Sequence, residues 1–274
     1  MIFDAHAHIF PDTIAKKAAD AIGKFYGYPM SCDGRTSSLL REMQEAGISR
    51  ALVHSVATTP RQTGSINNFI ASACKAYPET FIGFMAMHQN TEHMVQEAER
   101  AMSMGLRGVK IHPDIQRCAL DDEKFFPLYE CIEGRVPLLT HTGDTRYDFS
   151  TPDRVLRLLK RYPRLTMICA HLAGYSIWDT AQEKLAGAGV YVDTCSSLFF
   201  MPPEKAVEHI RAFGTDKVLF GTDFPMWKAT EELARFHALP LTEDEKARIL
   251  WTNAATLFGQ EPEPVREMES AVRA

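Results

Sequence analysis

The chain has 274 residues, enough for one large domain or two small ones. Its hydrophobic fraction of 45% and charged fraction of 24% are those of an ordinary globular protein. The formal net charge is −5 and no long block of like charge occurs, which argues against a nucleic-acid surface and a polybasic membrane anchor.

Targeting features and cysteine usage suggest a location for the protein. No apolar run reaches the length needed to span a bilayer, and the N-terminus lacks the basic and apolar regions of a signal peptide. The six cysteines are scattered along the chain without a C-x-x-C pair. This pattern predicts a cytoplasmic protein with free thiols rather than a disulfide framework.

The first eight residues, Met-Ile-Phe-Asp-Ala-His-Ala-His, indicate a short strand. Side chains two residues apart on a strand point to the same side, so we expect Asp4, His6 and His8 to share one face. Two imidazoles at positions i and i+2 can chelate a divalent metal. An isolated H-x-H pair is mostly coincidence, so this prediction depends on ligands elsewhere in the chain.

After this strand the sequence predicts a regular alternation of helices and strands. A helix over 13–24 and an irregular segment over 26–36 come first, followed by a helix over 37–46 that ends before Gly47. The short apolar runs expected for buried strands are 50–56, 81–87, 106–111, 136–140, 165–170, 190–194 and 218–221. The helices expected between and after them are 65–76, 91–103, 122–133, 151–161, 177–187, 203–212, 230–238 and 243–257.

This alternation predicts an α/β protein with parallel strands joined by crossover helices. With the opening strand there are eight units in about 250 residues, the usual size of a (β/α)8 TIM barrel. A doubly wound open sheet would require a glycine-rich turn after the first strand, and 6–11 contain no glycine. We therefore expect one barrel domain over 1–259 and a polar C-terminal tail over 260–274.

Histidines are concentrated at the ends of the predicted strands. The carboxyl ends of parallel barrel strands meet at one mouth, where the chemistry of such barrels takes place. The chain has ten histidines, and seven of them lie at strand ends, which chance placement does not explain. Their convergence predicts a metal site. The seven are His6, His8, His54, His88, His112, His141 and His171.

Strand order then assigns roles to these residues. His6, His8 and His141 supply three nitrogen ligands, and Asp223, just after the eighth strand, supplies a carboxylate. Such a site leaves one position for water, which is typical of a catalytic metal. Asp223 also accepts a proton from the activated water, and His171 is expected to be an acid, a base or a group that polarises a carbonyl.

Several motifs then connect the chain with a known family. They are Asp4-Ala5-His6-Ala7-His8, Gly108-Val109-Lys110-Ile111-His112-Pro113, His141-Thr142-Gly143, His171-Leu172-Ala173-Gly174, Gly221-Thr222-Asp223-Phe224-Pro225 and the terminal segment 249–259. Together they extend over nearly the whole chain in the order expected. The sequence resembles the amidohydrolase superfamily, specifically its amidohydrolase-2 branch.

The resemblance implies a distorted (β/α)8 barrel with one divalent metal, usually zinc. It implies His6, His8, His141 and Asp223 as metal ligands and His171 as the catalytic histidine. The branch contains hydrolases of amides and lactones. It also contains decarboxylases of aromatic and related acids, such as aminocarboxymuconate semialdehyde decarboxylase. This chain looks shorter than those decarboxylases after strand one, which favours hydrolysis. A homodimer is expected from the resemblance alone.

Lys110 allows two interpretations. In some members of the superfamily a lysine on strand four is carbamylated and bridges two metals. A free Lys110 would instead bind a substrate carboxylate as a point charge, and unmodified lysine is the commoner state. His112 shares the strand face of Lys110 and is expected to line the same pocket.

The loops at the mouth offer further candidates for substrate binding. Phe10, Trp227 and Arg146 would hold a flat or carboxylated small molecule. The alternative is that the loop aromatics pack helices against the barrel rim, and the sequence leaves both interpretations open.

Three functions are compatible with these residues. The first is a hydrolase in which a metal-activated water attacks the carbonyl of a small amide, lactone or ester. The second is a non-oxidative decarboxylase of an aromatic or dienoic acid, which needs Arg146 or Lys110 near the metal. The third is a barrel that binds metal or ligand without catalysis, and the complete set of candidate residues argues against it. Hydrolysis is the leading expectation, with a small molecule as the partner.

Overall fold

The computed structural model describes residues 1–259, which form a ring of parallel strands surrounded by helices. Each paired neighbour in the two recorded sheets is parallel, as expected when helices connect successive strands. The strands are β1 (Phe3–His8), β2 (Arg50–His54), β3 (Phe81–Gly83), β4 (Met85–Ala86), β5 (Val109–Ile111), β6 (Leu138–Thr140), β7 (Met167–Cys169), β8 (Tyr191–Asp193) and β9 (Val218–Leu219).

The nine strand segments occupy eight positions in the barrel. β3 and β4 are two halves of the predicted strand 81–87, separated at Phe84. The amide of Phe84 donates to the carbonyl of Val53 in β2, whereas the amide of Met85 donates to the carbonyl of Gly108 before β5. The strand therefore changes its pairing partner at Phe84.

The ring closes between β1 and the segment after β9. The amide of Ala5 donates to the carbonyl of Phe220 at 2.8 Å, and the amide of His8 donates to the carbonyl of Phe224 at 2.7 Å. These bonds complete a parallel ring of eight strand positions. The predicted (β/α)8 barrel is therefore confirmed.

The helices follow the strands as predicted, with small changes at their ends. The predicted helix 243–257 is divided into α11 (Glu243–Ala247), a π-helical turn at Arg248–Thr252 and α12 (Asn253–Phe258). The short helix α5 (Pro113–Gln116) was not predicted. The helices are α1 (Ala15–Tyr26), α2 (Thr36–Ala46), α3 (Thr63–Ala76), α4 (Met94–Ser103), α5 (Pro113–Gln116), α6 (Phe126–Ile132), α7 (Pro152–Arg161), α8 (Trp178–Leu185), α9 (Pro203–Phe213), α10 (Ala229–His237), α11 (Glu243–Ala247) and α12 (Asn253–Phe258). Single 3₁₀ turns lie at Pro60–Gln62 and Glu123–Phe125.

Apolar side chains form two buried layers. The larger lies between the strands and the surrounding helices. The smaller fills the barrel interior with Phe3, Leu52, Leu139 and Ile168, and Phe258 of α12 stacks on Phe3 with ring centroids 5.6 Å apart. These interior residues precede the strand-end polar groups along each parallel strand. The apolar layer therefore leaves the carboxyl end of the barrel to the polar side chains.

A β-bulge in β1 changes the predicted orientation of Asp4. Asp4 pairs with Ala51 and His8 pairs with His54, and the register shifts between Asp4 and Ala7. Ala51 and His54 are three residues apart on β2, so Asp4 and His8 lie on opposite faces. The prediction that Asp4, His6 and His8 share one face is wrong, because the bulge inserts one extra residue.

Other predictions have different outcomes. No helix within residues 1–259 has the length and hydropathy required to cross a membrane. All six cysteines are free, as predicted. The predicted tail 260–274 lies outside the described residues, so the domain boundary at 259 stays a prediction.

The change of pairing at Phe84 gives a test of the packing. Gly108 is buried, and a Cβ atom there would overlap with the fully buried ring of Phe84. We expect Gly108→Ala to lower the free energy of unfolding by about 1–3 kcal/mol, measured by urea denaturation. Gly64→Ala in α3 is the control, since the nearest atom, Nη2 of Arg100, lies 3.8 Å from the added Cβ. Gly64→Ala should not lower the free energy of unfolding and should raise it by at most about 1 kcal/mol. Equal stability of the two variants would contradict this packing.

Candidate metal centre

Three of the four predicted metal ligands lie together at the mouth of the barrel. Nε2 of His6 lies 3.7 Å and Nε2 of His8 lies 3.5 Å from Oδ1 of Asp223. Both imidazoles are buried. A tetrahedral cation with bonds of about 2.1 Å holds its ligand atoms about 3.4 Å apart. Each histidine is therefore spaced from Asp223 as two ligands of one divalent metal would be.

Asp193, at the end of β8, orients the ring of His6. Its Oδ2 accepts a hydrogen bond from Nδ1 of His6 at 2.8 Å, so Nε2 keeps its lone pair and faces both Asp223 and the Nζ of Lys110. Metal-binding histidines commonly have such a carboxylate partner. Asp193 lies within the predicted strand 190–194 but had no predicted role, because the contact joins residues 187 positions apart.

The electrostatics favour the protonation states that bind metal. Burial and the neighbouring Lys110 lower the pKa of His6 to about 4, which keeps the ring neutral. Burial alone would raise the pKa of Asp223, but the contact with His8 and the nearby rings of His6 and His171 bring it well below its usual value. Neutral imidazoles therefore face an ionised carboxylate.

Trp227 contacts this centre through Ser196. The hydroxyl of Ser196 donates to Oδ2 of Asp223 and accepts from Nε1 of Trp227 at 3.0 Å. This chain of hydrogen bonds leaves Oδ1 of Asp223 facing His6 and His8. Trp227, predicted to bind substrate, thus supports a candidate ligand, and Ser196 was not identified from the sequence.

His54 is a fourth buried histidine beside the centre. Its ring centroid lies 4.4 Å from that of His8 and 4.8 Å from that of His6. Neither ring nitrogen has a hydrogen-bond partner within residues 1–259. Burial lowers its pKa well below the usual value, so the ring is neutral. His54 was predicted at a strand end without a ligand role, yet its nitrogens are available to a cation.

His141 lies next to this cluster. Its ring stacks on His112 with centroids 4.2 Å apart, and its centroid is 4.7 Å from that of His171. Within residues 1–259, Nε2 has no hydrogen-bond partner and lies 3.5 Å from Oδ2 of Asp114. Within residues 1–259, three sets of residues have donor atoms that all lie within 4.8 Å of one another: His6, His8 and His54; His6, Asp193 and Cys195; and His171, Cys195 and Asp223. His141 belongs to none of these sets, and none of them joins Asp223 to both His6 and His8. Its role as a metal ligand stays a prediction.

Tyr26 closes over the imidazoles from the end of α1. Its hydroxyl lies 2.7 Å from Nε2 of His112 and 3.4 Å from Nδ1 of His141. Tyr26 falls in the predicted irregular segment 26–36 but is the last residue of α1. Its contact could not be found from local pattern, because it depends on how α1 is placed over the mouth.

Lys110 extends from β5 to the same cluster. Its Nζ lies 3.1 Å from Nε2 of His6, and the side chain is fully buried. Burial lowers its pKa to about 8, although the charges of Asp193 and Asp223 oppose that shift. Lys110 is thus a cationic group directly beside the candidate metal ligands.

A cavity of about 600 Å³ opens above these residues. Some of the residues predicted to bind substrate line it, and others do not. Phe10, Lys110 and His112 line it, together with His171. Arg146 and Trp227 lie outside the lining. The guanidinium of Arg146 pairs with Asp144 at 2.7 Å and packs over the rings of Phe25 and Tyr26, which do line the cavity.

The fold and the donor cluster define a class of protein, the parallel (β/α)8 barrel with histidine and carboxylate groups at its mouth. The model of the Amidohydrolase family matches residues 3–260, nearly the whole chain. The chain belongs to this family. The resemblance drawn from the sequence motifs is therefore confirmed.

Individual relatives agree with this assignment. The chain is 25% identical over 242 residues to gamma-resorcylate decarboxylase of Polaromonas sp. strain JS666, which covers 70% of this chain and 74% of the relative. A TIM-barrel protein from Bordetella bronchiseptica matches with a TM-score of 0.74 at 22% identity, covering 94% of this chain and 98% of the other.

A third relative is known with a metal bound. The 5-carboxyvanillate decarboxylase of Novosphingobium aromaticivorans, in complex with manganese and 4-hydroxy-3-methoxy-5-nitrobenzoic acid, matches with a TM-score of 0.72 at 18% identity. The match covers 94% of this chain and 96% of the other. The family supports a divalent metal, whereas zinc, the predicted ion, is not confirmed.

Asp193 provides a test of the metal centre. We expect Asp193→Asn to weaken Mn²⁺ and Zn²⁺ binding about 10–100-fold, because the His6 ring loses the group that orients it. Binding is measured by competition with a chelating dye. Asp179→Asn is the matched control, since Asp179 is exposed and pairs with Lys205. Unchanged metal affinity in Asp193→Asn would contradict the assigned role of this carboxylate.

Proposed function

We propose that the protein is a metal-dependent, non-oxidative decarboxylase of an aromatic acid. The relatives named above with an activity are decarboxylases, which supports this alternative over the hydrolase expected first from the sequence. The length argument for hydrolysis weighs less, because the match to the Novosphingobium structure covers 96% of that chain.

The position of Lys110 carries the proposal. Its ammonium lies at the floor of a mainly apolar cavity, 3.1 Å from Nε2 of a candidate metal ligand. A buried cation attracts a carboxylate strongly, since water does not screen the pair. An aromatic acid would place its carboxylate near Lys110 and its ring against Phe10 and His112. A neutral amide or lactone has no carboxylate to pair with this charge, which would then meet only the oxyanion that develops during hydrolysis.

The candidate ligands fit a divalent cation by their spacing and protonation states. In this proposal His6, His8, His141 and Asp223 hold the metal. When bound, the cation supplies positive charge that holds the oxygens of the acid. The chain's own residues then orient the ring and deliver the proton.

His171 and Asp223 are the proposed catalytic residues. Nδ1 of His171 lies 3.1 Å from the carbonyl of Cys195, which can only accept, so Nε2 is the nitrogen free to exchange a proton. The ring carbon that bears the carboxylate takes a proton: His171 gives it from Nε2, or passes it to the ionised Asp223, which then gives it. The bond to the carboxylate then breaks, its electron pair restores the aromatic ring, and carbon dioxide leaves.

Arg146 and Trp227 act indirectly in this proposal. Arg146 packs against Phe25 and Tyr26, which line the cavity, and Trp227 holds Asp223 through Ser196. Instead of binding the substrate as predicted, these two residues support the residues that contact it. The homodimer and the cytoplasmic location remain predictions from the sequence.

A substrate panel separates the two reactions. The Mn²⁺-loaded protein is incubated with carboxyl-¹³C hydroxybenzoates, including 2,6-dihydroxybenzoate and 5-carboxyvanillate, and with lactones and amides. We expect release of labelled carbon dioxide from at least one acid and no hydrolysis. Turnover of a lactone or amide without decarboxylation of any acid would instead establish the hydrolase.

Lys110 is tested with the acid that reacts. Lys110→Met should lower kcat/KM about 10–100-fold, because a hydrogen bond to a charged group contributes about 1.5–3 kcal/mol. Lys24→Met is the matched control, since Lys24 is exposed on α1 and outside the cavity lining. Equal kcat/KM for Lys110→Met and the wild type would remove the observation on which the proposal rests.

A further inference from the structure

The cavity above the metal centre is larger than one aromatic ring requires. Its volume is about 600 Å³. A cavity of about 150 Å³ is enough to hold benzene. Most of the space therefore remains for another part of the substrate once a single ring lies over the metal centre.

One wall of this space is an apolar stripe of α1. Ala18, Ala21, Ile22 and Phe25 line the cavity at helical spacing. An adjacent stripe of the same helix, Ala15, Ala19 and Gly23, is buried against the rest of the protein. The buried stripe packs α1 against the rest of the protein, so the stripe that faces the cavity is free to bind a ligand.

The facing wall comes from α3. Ile66 and Phe69 line it and are only partly buried. Above the floor, Lys17 is the single charged residue in the lining within residues 1–259. The floor, in contrast, carries His6, Lys110 and Asp223. The walls above the floor are mostly apolar, with the neutral polar side chains of Thr58, Gln62 and Ser65 near the start of α3, so the cavity is amphiphilic.

We infer that the substrate is an amphiphilic aromatic acid. Its acidic ring lies on the floor, and an extended apolar group, an alkyl chain of several carbons or a second ring, lies between α1 and α3. The acidic ring of this substrate rests on the proposed function, whereas the extended apolar group is inferred from the walls of the cavity alone. Because the walls continue directly into the metal centre, they fit a group attached to the substrate better than a separate protein.

The inference is tested with 4-n-alkylbenzoates, from benzoate to 4-hexylbenzoate, titrated into the Mn²⁺-loaded protein by calorimetry. We expect the Kd to tighten about four-fold for each methylene that enters the cavity, as the transfer of a methylene out of water predicts. Ala21→Trp fills the space between the walls and should abolish this gain while benzoate still binds. Lys24→Trp places the same side chain on the outer side of α1 and should retain the gain. Circular dichroism checks that both variants fold.

Other outcomes are distinguishable. A Kd that does not change with chain length, or a gain that persists in Ala21→Trp, would overturn the inference. Loss of self-association in Ala21→Trp together with a flat series would also overturn it, since a second copy would then cover the walls. If the gain appears but no acid releases carbon dioxide, the proposed function fails and the inference about the apolar group stands. If short acids are decarboxylated but the Kd does not change with chain length, the proposed function stands and the inference about the apolar group fails.

Discussion

The hydrogen bond between Asp193 and His6 determines the geometry of the candidate metal centre. It links the end of β8 to β1 across the barrel interior and leaves Nε2 of His6 facing Asp223. The other oxygen of Asp193 accepts the amide of His171 at 2.8 Å. One buried carboxylate therefore orients a candidate ligand and fixes the backbone of a candidate catalytic residue. Burial alone would raise the pKa of Asp193, but its bond and charge interaction with His6 outweigh that effect and keep the carboxylate ionised.

The backbone around the site is held in conformations that residues with side chains rarely adopt. Asp223 has φ of 57° and His171 has φ of 62°, both in the left-handed region. Such residues cost about 1–3 kcal/mol each and persist only where the surroundings fix them. The amide of Asp223 donates to the carbonyl of His6, and Asp4 accepts both the amide and the hydroxyl of Thr222. The bulged strand β1 thereby fixes the loop that carries Asp223, which explains why Asp4 lies beside this motif without facing the metal.

The sequence predicted the architecture because strand and helix periods are local properties of the chain. It missed the break at Phe84 and the bulge after Asp4, which depend on pairing with neighbouring strands. Among site residues, strand-end histidines could be found from position alone. Asp193 and Ser196 could not be given roles, because each acts on a residue far away in the sequence. Arg146 pairs with Asp144, only two residues away, and lies outside the cavity lining, and a pair so close in sequence could have been expected from the sequence alone.

The metal centre, the orienting carboxylate and the proposed chemistry all depend on where the cation binds. Anomalous diffraction from crystals grown with Mn²⁺ tests this directly. We expect one strong peak within about 2.2 Å of Nε2 of His6, Nε2 of His8, Oδ1 of Asp223 and a ring nitrogen of His141. A peak at another group of donors, such as His171 and Cys195, or no peak in the barrel mouth would contradict it.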